Sequence, residues 1–478
     1  MNTIIQQILI KAAEKYIKYF EENGIIEISL MAEDFNNISK ETAKEMLTAF
    51  IEHADESIRN AKAERKADGI RVQERKVPRT LFTALGSLTY ERTYFNMPAG
   101  KRGYLIDDIL KVEAYERIDA GISAGLVNAA ATHSFGKSAN MITGGQVSRQ
   151  SVKNKVMNTG EVLYIPEKAK DMPDALHIFA DEDHIHLQNG RNTIIPLITI
   201  CEGKTPLSKG RNKLIEAFHV QGYGMEPETH WEYVYALCAE KYDMKRVRKV
   251  YIYGDGALWI IKGLDTFPYA VHILDEFHFK KRMKSLLAGE ICASYSAVIN
   301  TSISNNNRKQ FCRLVDMMLA AVHKKMPESK MRAGRIKAIT DSAAYINKFW
   351  DAAQNMRLPG SVGSCTEAMV SHVLSERFSR NPMGWSRAGL SKMSMIRVFV
   401  VNGGRISPED TLAWKKYTKK NMEITEYKKY EAIVKKQHDK LFKESKDWRW
   451  FEVDNLISGK TTGTRVVLNA LGKIQNIS

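Results

Sequence analysis

The stretch from Pro173 to Phe279 constrains the fold of this chain most, because its pattern changes from strand-like to helical in a fixed order. Leu176 to Gln188 reads as a strand, and Asn189-Gly190 supplies the positive φ angles of a two-residue hairpin turn. Asn192 to Cys201 is then the antiparallel partner, and a third strand fits Leu214 to Gln221. A helix over Thr229 to Tyr242 follows, then the strand Val250 to Tyr253 and a helix through Trp259 and Ile260. A strand over Tyr269 to Leu274 and a helix from Phe277 complete the run.

The order strand, strand, strand, helix, strand, helix, strand, helix is that of an RNase H-like α/β domain. In such a sheet the first and fourth strands are neighbours, so residues 255 − 181 = 74 positions apart can share one metal ion. Asp181 lies within the first strand, and Asp255 follows the fourth between Gly254 and Gly256. Hard carboxylate oxygens favour magnesium or manganese. Two such ions suit an in-line attack on a phosphodiester.

Around this core the sequence divides into six regions. Residues 1–75 read as an N-terminal helical region, and 76–170 as a DNA-binding region that opens on a short strand pair near Thr80 to Phe95. Residues 171–283 are the first part of the core, 284–357 an all-helical insertion and 358–400 the second part, with strands returning weakly after Ile396. Residues 401–478 form a basic C-terminal region, whose Lys-rich stretch from Lys415 to Lys446 reads as a solvated helix face.

The segment 133–157 resembles a helix-turn-helix. His133 to Ile142 gives one helix, Thr143-Gly144-Gly145 a turn, and Val147 to Val156 a second helix with Ser148 as its N-cap. Val152 and Val156 face inward, so Arg149, Gln150 and Lys153 face out. Arg149 and Gln150 suit base edges in a major groove, and Lys153 and Lys155 suit phosphates. An ordinary helical hairpin would carry the same pattern.

The third acid must come from beyond the insertion. Glu367 is the best candidate, 367 − 255 = 112 residues after Asp255. Two alternatives stand beside these assignments. Asp183 shares a strand face with Asp181 and is also a candidate ligand. Ser364-x-x-Glu367 before an apolar run is also a capping box.

The Asp181-x-x-His184-Ile185 strand, Gly254-Asp255-Gly256, Asp275-x-x-His278 and the Glu367 helix together resemble a DDE transposase of the Mutator-like kind. With Gly254-Asp255-Gly256-Ala257-Leu258-Trp259-Ile260 and Arg380-Asn381-Pro382-Met383-Gly384-Trp385-Ser386, the chain is similar more narrowly to the Lre-type insertion-sequence transposases. The similarity runs from the Arg79 segment to Gly463-Thr464-Arg465. It implies binding of terminal inverted repeats, metal-dependent strand cleavage and strand transfer, with Asp181, Asp255 and Glu367 as the catalytic and metal-binding acids. It also implies an all-helical insertion between the second and third acids. Related families carry Lys or Arg seven residues after the glutamate, where this chain has Leu374, so Arg377 or His372 is the candidate substitute. Asp275 and His278 are expected to be structural or to orient the metal-binding carboxylates.

Charge agrees with a nucleic-acid partner. The 71 Lys and Arg exceed the 55 Asp and Glu, leaving +16, and each neutralised phosphate releases counterions. Double-stranded DNA and further copies of the chain assembled on it are the expected partners. The five cysteines, at 201, 238, 292, 312 and 365, contain no C-x-x-C pair, which points to a reduced, cytoplasmic setting without structural zinc. No apolar run approaches the ~18 residues of a membrane span, and no phosphate-binding loop of the G-x-x-x-x-G-K-[ST] kind occurs. A metal-dependent nuclease on the same fold, or a DNA-binding regulator without catalysis, are the competing functional classes.

Overall fold

The computed structural model describes residues 2–24, 26–208, 211–380, 383–415 and 429–436. It is a mixed α/β structure in two units, Met1–Gly125 with Ser407–Ser478, and Leu126–Ile406. Among the described residues no helix is long and apolar enough to cross a membrane.

The first unit begins with the helices Asn2–Asn23, Ile28–Asn60 and Lys62–Ala67. The strand pair is longer than the sequence suggested. β1 (Arg71–Thr83) starts inside the segment read as helical and pairs antiparallel with β2 (Gly86–Asn96), which pairs with β3 (Arg102–Gly103). Leu88, Tyr90 and Phe95 of β2 are buried in one cluster with Ile51 and Ile58. That burial gives the amphipathic helix Ile28–Asn60 its apolar partner.

The second unit is built on a mixed five-stranded sheet. β4 (Ala175–His186) and β5 (Asn192–Cys201) form the expected hairpin. Leu214 to Gln221 is not one strand. Glu216 adopts a positive φ of 51° and divides it, so that β6 (Gly203–Ser208) and β7 (Arg211–Ile215) make a separate ribbon while β8 (Phe218–Gln221) joins the main sheet. β9 (Lys249–Gly254) and β10 (Ala270–Leu274) complete the order β10-β9-β4-β5-β8. β4, β9 and β10 run parallel, while β5 runs antiparallel to both β4 and β8.

Alternation along β4 assigns its two faces. Leu176, Ile178 and Ala180 pack on Trp231, Val234 and Leu237 of the helix Pro227–Lys241. Ile178 is fully buried, so truncating it to alanine costs about 2–5 kcal/mol through lost transfer energy and a residual cavity. On the other face Phe179, Tyr251, Tyr253 and Ile273 are covered by Met356, Leu358, Val362 and Cys365. Asp181 continues this second face, which the chain reaches again after its helical excursion.

That excursion has a core of its own, in which Leu286, Ile299, Phe311, Met318, Ile339 and Trp350 are buried together. Arg335 fastens it by donating to the carbonyls of Ser285, at 2.7 Å, and Leu286. The chain then forms the short helix Thr366–Val370, a π-helical turn Ser371–Ser375, and the helix Arg387–Val401. The strands expected after Ile396 are replaced by this last helix, whose Leu390, Met393 and Ile396 are buried at three-residue spacing, a helical period that a short apolar run does not reveal. Leu187 and Trp385 form an isolated bridge. Of the Lys415 to Lys446 stretch only Lys415 and residues 429–436 are described, and Asn381-Pro382 and Gly463-Thr464-Arg465 lie outside the described residues.

Candidate active site

Strand register assembles the acids. β4 and β9 pair with Phe179 opposite Tyr253, so two residues further along each strand come Asp181 and Asp255. β10 pairs with β9 with Leu274 opposite Gly254, and the next residues are Asp275 and Asp255. The Asp275 N–H donates to the Gly254 carbonyl at 2.9 Å, fixing that alignment. Asp255 and Asp275 therefore directly follow the C-terminal ends of β9 and β10, and Asp181, midway along β4, stands two residues past the last pair that β4 makes with β9. The carboxyl end of parallel strands is the usual place for a ligand in an α/β sheet.

Their environments differ. Asp275 caps the helix Glu276–Leu286, and both its oxygens are occupied: Oδ2 accepts from the His278 N–H and faces His278 Nδ1, each at 3.0 Å, while Oδ1 accepts from Ser364 and, at 2.5 Å, from Thr366. Burial alone would raise its pKa, but these donors hold it well below the usual carboxylate range. The same contact with Asp275 raises the pKa of His278, with the Asp181 and Asp255 carboxylates adding to the effect.

Asp181 is in the opposite condition. Its Oδ1 accepts from the Glu182 N–H at 2.9 Å, and no donor among the described residues meets Oδ2. Burial pushes its pKa up to about 6, and the charges of Asp255 and Asp275 add to this. Asp255 is likewise held on one side only, by the Ala257 N–H at 2.9 Å. Two carboxylates fixed by backbone on one oxygen and open on the other offer two oxygen donors of the kind a hard divalent cation takes.

The turn that carries Asp255 is gripped by the helical excursion. Tyr345 donates from its hydroxyl to the Asp255 carbonyl at 2.7 Å. Phe349 lies against Gly256, where a Cβ would fall 2.4 Å from its ring and where φ is 87°, so glycine is required both for space and for conformation. On the opposite face of β4, Glu182 accepts from Trp259 Nε1 at 2.6 Å and ties the same turn to the strand. None of these supports was singled out from the sequence, because each joins residues 77 to 93 positions apart.

The remaining candidates fall in several places. Asp183 is 8% exposed and accepts from Ser379 at 3.0 and 3.1 Å. Glu367 is exposed on the helix Thr366–Val370, which packs against β4. It lines an open cleft with Asp275, Phe277, Lys280 and His372. The capping box does not form: no side chain caps that helix, and Ser364 is engaged with Asp275. Among the described residues no three His, Cys, Asp or Glu side chains converge to hold an ion, so Glu367 does not join Asp181 and Asp255 in this arrangement. Leu374 is fully buried. Arg377 lies apart from the acids: it donates from Nε to the Ala130 carbonyl at 2.8 Å and stacks on Trp385.

The helix pair before the sheet consists of Phe135–Thr143 and Arg149–Met157, with Gly144 closing the first in the left-handed conformation. Ser148 caps the second, Val152 and Val156 are buried, and Arg149, Gln150 and Lys153 are exposed. Lys155 is half-buried.

Comparison with known proteins adds a lineage. The model of the uncharacterised protein family UPF0236 matches residues 22–414. In Caldanaerobacter subterraneus subsp. tengcongensis, UPF0236 protein TTE2489 is 30% identical over 485 residues, covering 100% of both chains. UPF0236 protein TTE1650/TTE2708 of the same organism is 30% identical over 482 residues, covering 99% of this chain and 93% of its own. A third relative there, 31% identical over 480 residues and covering 99% of this chain and 98% of its own, bears a name joining eleven designations, from TTE0033 to TTE2212. With a match across most of its length and relatives aligned end to end, the chain belongs to the UPF0236 family of uncharacterised proteins.

Proposed function

We propose that this protein is a DNA transposase, a metal-dependent polynucleotidyl transferase with an RNase H-like core that binds element ends and cuts and joins DNA strands. The observation that carries the reading is the alignment of Asp181, midway along β4, with Asp255, just past the end of the adjacent parallel strand β9, each with a carboxylate oxygen left open. The sheet order supports it: counted along the chain within the main sheet, the strands run 3-2-1-4-5, with the first three antiparallel and the last two parallel to the first, as an RNase H-like sheet does. A relative whose name gathers eleven designations in one organism is what a gene repeated around a genome, as a mobile element is, would produce.

In this reading Asp181 and Asp255 would hold magnesium or manganese, with Glu367 as the third carboxylate brought in from the cleft rim when DNA binds. A divalent ion bound there would supply activation of the attacking water or 3′ hydroxyl and stabilisation of the leaving oxygen. Asp275 keeps His278, Ser364 and Thr366 in fixed positions and so orients the start of the Glu367 helix. The helix pair is a helix-turn-helix, through which Arg149, Gln150, Lys153 and Lys155 meet DNA. The protein acts as an assembly of copies on DNA, in the cytoplasm of a bacterial cell.

The test separates chemistry from binding. Asp181→Asn and Asp255→Asn keep side-chain size and remove a ligand charge, so cleavage of element ends in magnesium is lost while duplex binding persists. Undiminished cleavage by either variant rejects the reading. Cleavage by the wild type without strand transfer favours a nuclease on the same core, and binding without cleavage favours a DNA-binding regulator.

A further inference from the structure

A cleft of about 510 Å³ lies beside the second helix of the pair, away from the aspartates, and three helices begin on its wall. Phe135–Thr143, Arg149–Met157 and Arg387–Val401 are capped by Ser134, Ser148 and Ser386, and Gly136, Gln150 and Gly389 from their first turns line the cleft. The caps take the N–H groups of Lys137, Ser151 and Gly389; the other first-turn N–H groups lack intrahelical acceptors and carry the positive end of the helix dipole. Three such ends around one space favour an anion.

The side chains lean the same way. Arg149, Lys153 and Arg377 line the cleft, and no Asp or Glu does among the described residues. Arg377 is decisive. It is 4% exposed, and its Nε donates to the Ala130 carbonyl at 2.8 Å while its guanidinium lies 4.8 Å from the Trp385 ring centre. Beyond that, Nη1 meets only the Met383 sulfur at 3.6 Å, and no carboxylate pairs with it among the described residues. Burial, with the charge of Arg397 nearby, lowers its pKa to about 10. A buried guanidinium with free donors and no counter-ion is costly, and the space it faces is the one from which a counter-ion can come.

We propose that this cleft is a phosphate-binding site and that its ligand is a backbone phosphate of a DNA strand passing the helix pair. The guanidinium fork of Arg377 suits two phosphate oxygens, and Arg149 and Lys153 add charge from the open side. That the phosphate belongs to DNA rests on the function proposed above; the preference of the cleft for phosphate does not. Arg149 then grips the backbone, in contrast to the base-edge role its place in a helix-turn-helix suggests, and its contribution is independent of sequence.

The experiment uses the full chain and two probes. Inorganic phosphate is titrated into thermal melts at constant ionic strength against chloride, and short duplexes of unrelated sequence are titrated by fluorescence anisotropy over a range of salt. Phosphate is expected to raise Tm beyond chloride, and Arg149→Ala and Lys153→Ala to diminish that rise. Each variant also weakens every duplex alike and lowers the slope of log K against log salt by about 1. Arg377→Gln abolishes the phosphate response if it folds; the two exposed variants decide the matter if it does not. Equal melting in phosphate and chloride, with unchanged salt slopes, overturns the site. A phosphate response lost in the variants with duplex slopes unchanged overturns DNA as the source. A change in preference among duplexes without a change of slope in Arg149→Ala assigns that residue to bases and overturns its part in the site. Should the wild type bind no duplex, the proposed function fails, and the phosphate melts alone decide the cleft.

Discussion

Asp181 on β4 and Asp275 just after β10 flank β9 on either side, yet their surroundings differ. Asp275 is saturated by His278, Ser364 and Thr366, so Asp275→Ala leaves the groups of these three residues without their acceptor and is expected to cost about 2–4 kcal/mol, read as a lower midpoint in urea. Glu367 has no such duty. Because it is exposed and caps nothing, Glu367→Gln should change stability by less than about 0.5 kcal/mol while strand cleavage in magnesium falls sharply. Wild-type cleavage by that variant would remove Glu367 from the chemistry. In the first unit, burial raises the Asp108 carboxyl from 3.8 to about 6. Its folded-state value lies above the unfolded one, so its contribution is fully present below pH 3.8 and is lost as pH rises to about 6. Asp108→Asn is therefore expected to be more stable than the wild type at pH 7, by about 1–3 kcal/mol, and the advantage should vanish near pH 4. Denaturant melts at the two pH values measure it, and equal gains at both would show that the Asp108 charge is not the cause.

At the scale of elements, the helical excursion holds the turn that carries Asp255. Tyr345 reaches the Asp255 carbonyl from the helix Lys330–Lys348, and Phe349 just beyond that helix fills the space beside Gly256. Tyr345→Phe removes one hydrogen bond and keeps the ring packing, so it should cost about 1 kcal/mol of stability. If the hydroxyl positions Asp255, the same variant needs more magnesium for half-maximal cleavage while its affinity for duplex is unchanged. An unaltered metal requirement would make the contact purely structural. Gly256→Ala meets both the Phe349 ring and a disfavoured φ, and should be more damaging than Tyr345→Phe in both assays.

Across the whole molecule, a net charge of +16 and the proposed metal-binding pair Asp181 and Asp255 predict two separable dependences. Duplex affinity should fall steeply and linearly on a logarithmic salt scale without any need for metal. Cleavage should stop on chelation and return with magnesium or manganese, while binding persists in the chelator. Binding that also requires the metal would mean that the ions bridge protein and DNA and that the basic surface does not suffice.

The sequence by itself determined the elements whose signals are local. The Asn189-Gly190 hairpin, the Ser148 cap, the inward pair Val152 and Val156, and the positions of Asp181 and Asp255 on their strands all follow from period, turn chemistry and capping within a few residues. Only the tertiary structure decided the rest. Leu214 to Gln221 breaks at Glu216 because one half joins the core and the other a solvent-exposed ribbon, and Arg387–Val401 is helical because packing buries one face of an apolar run that reads equally as a strand. The saturation of Asp275 by Ser364 and Thr366, the hold of Tyr345 on Asp255 and the bond from the Arg377 guanidinium to the Ala130 carbonyl join residues far apart in the chain. Such contacts depend on which faces the sheet and helices bury together, and the spacing of residues along the chain does not encode them.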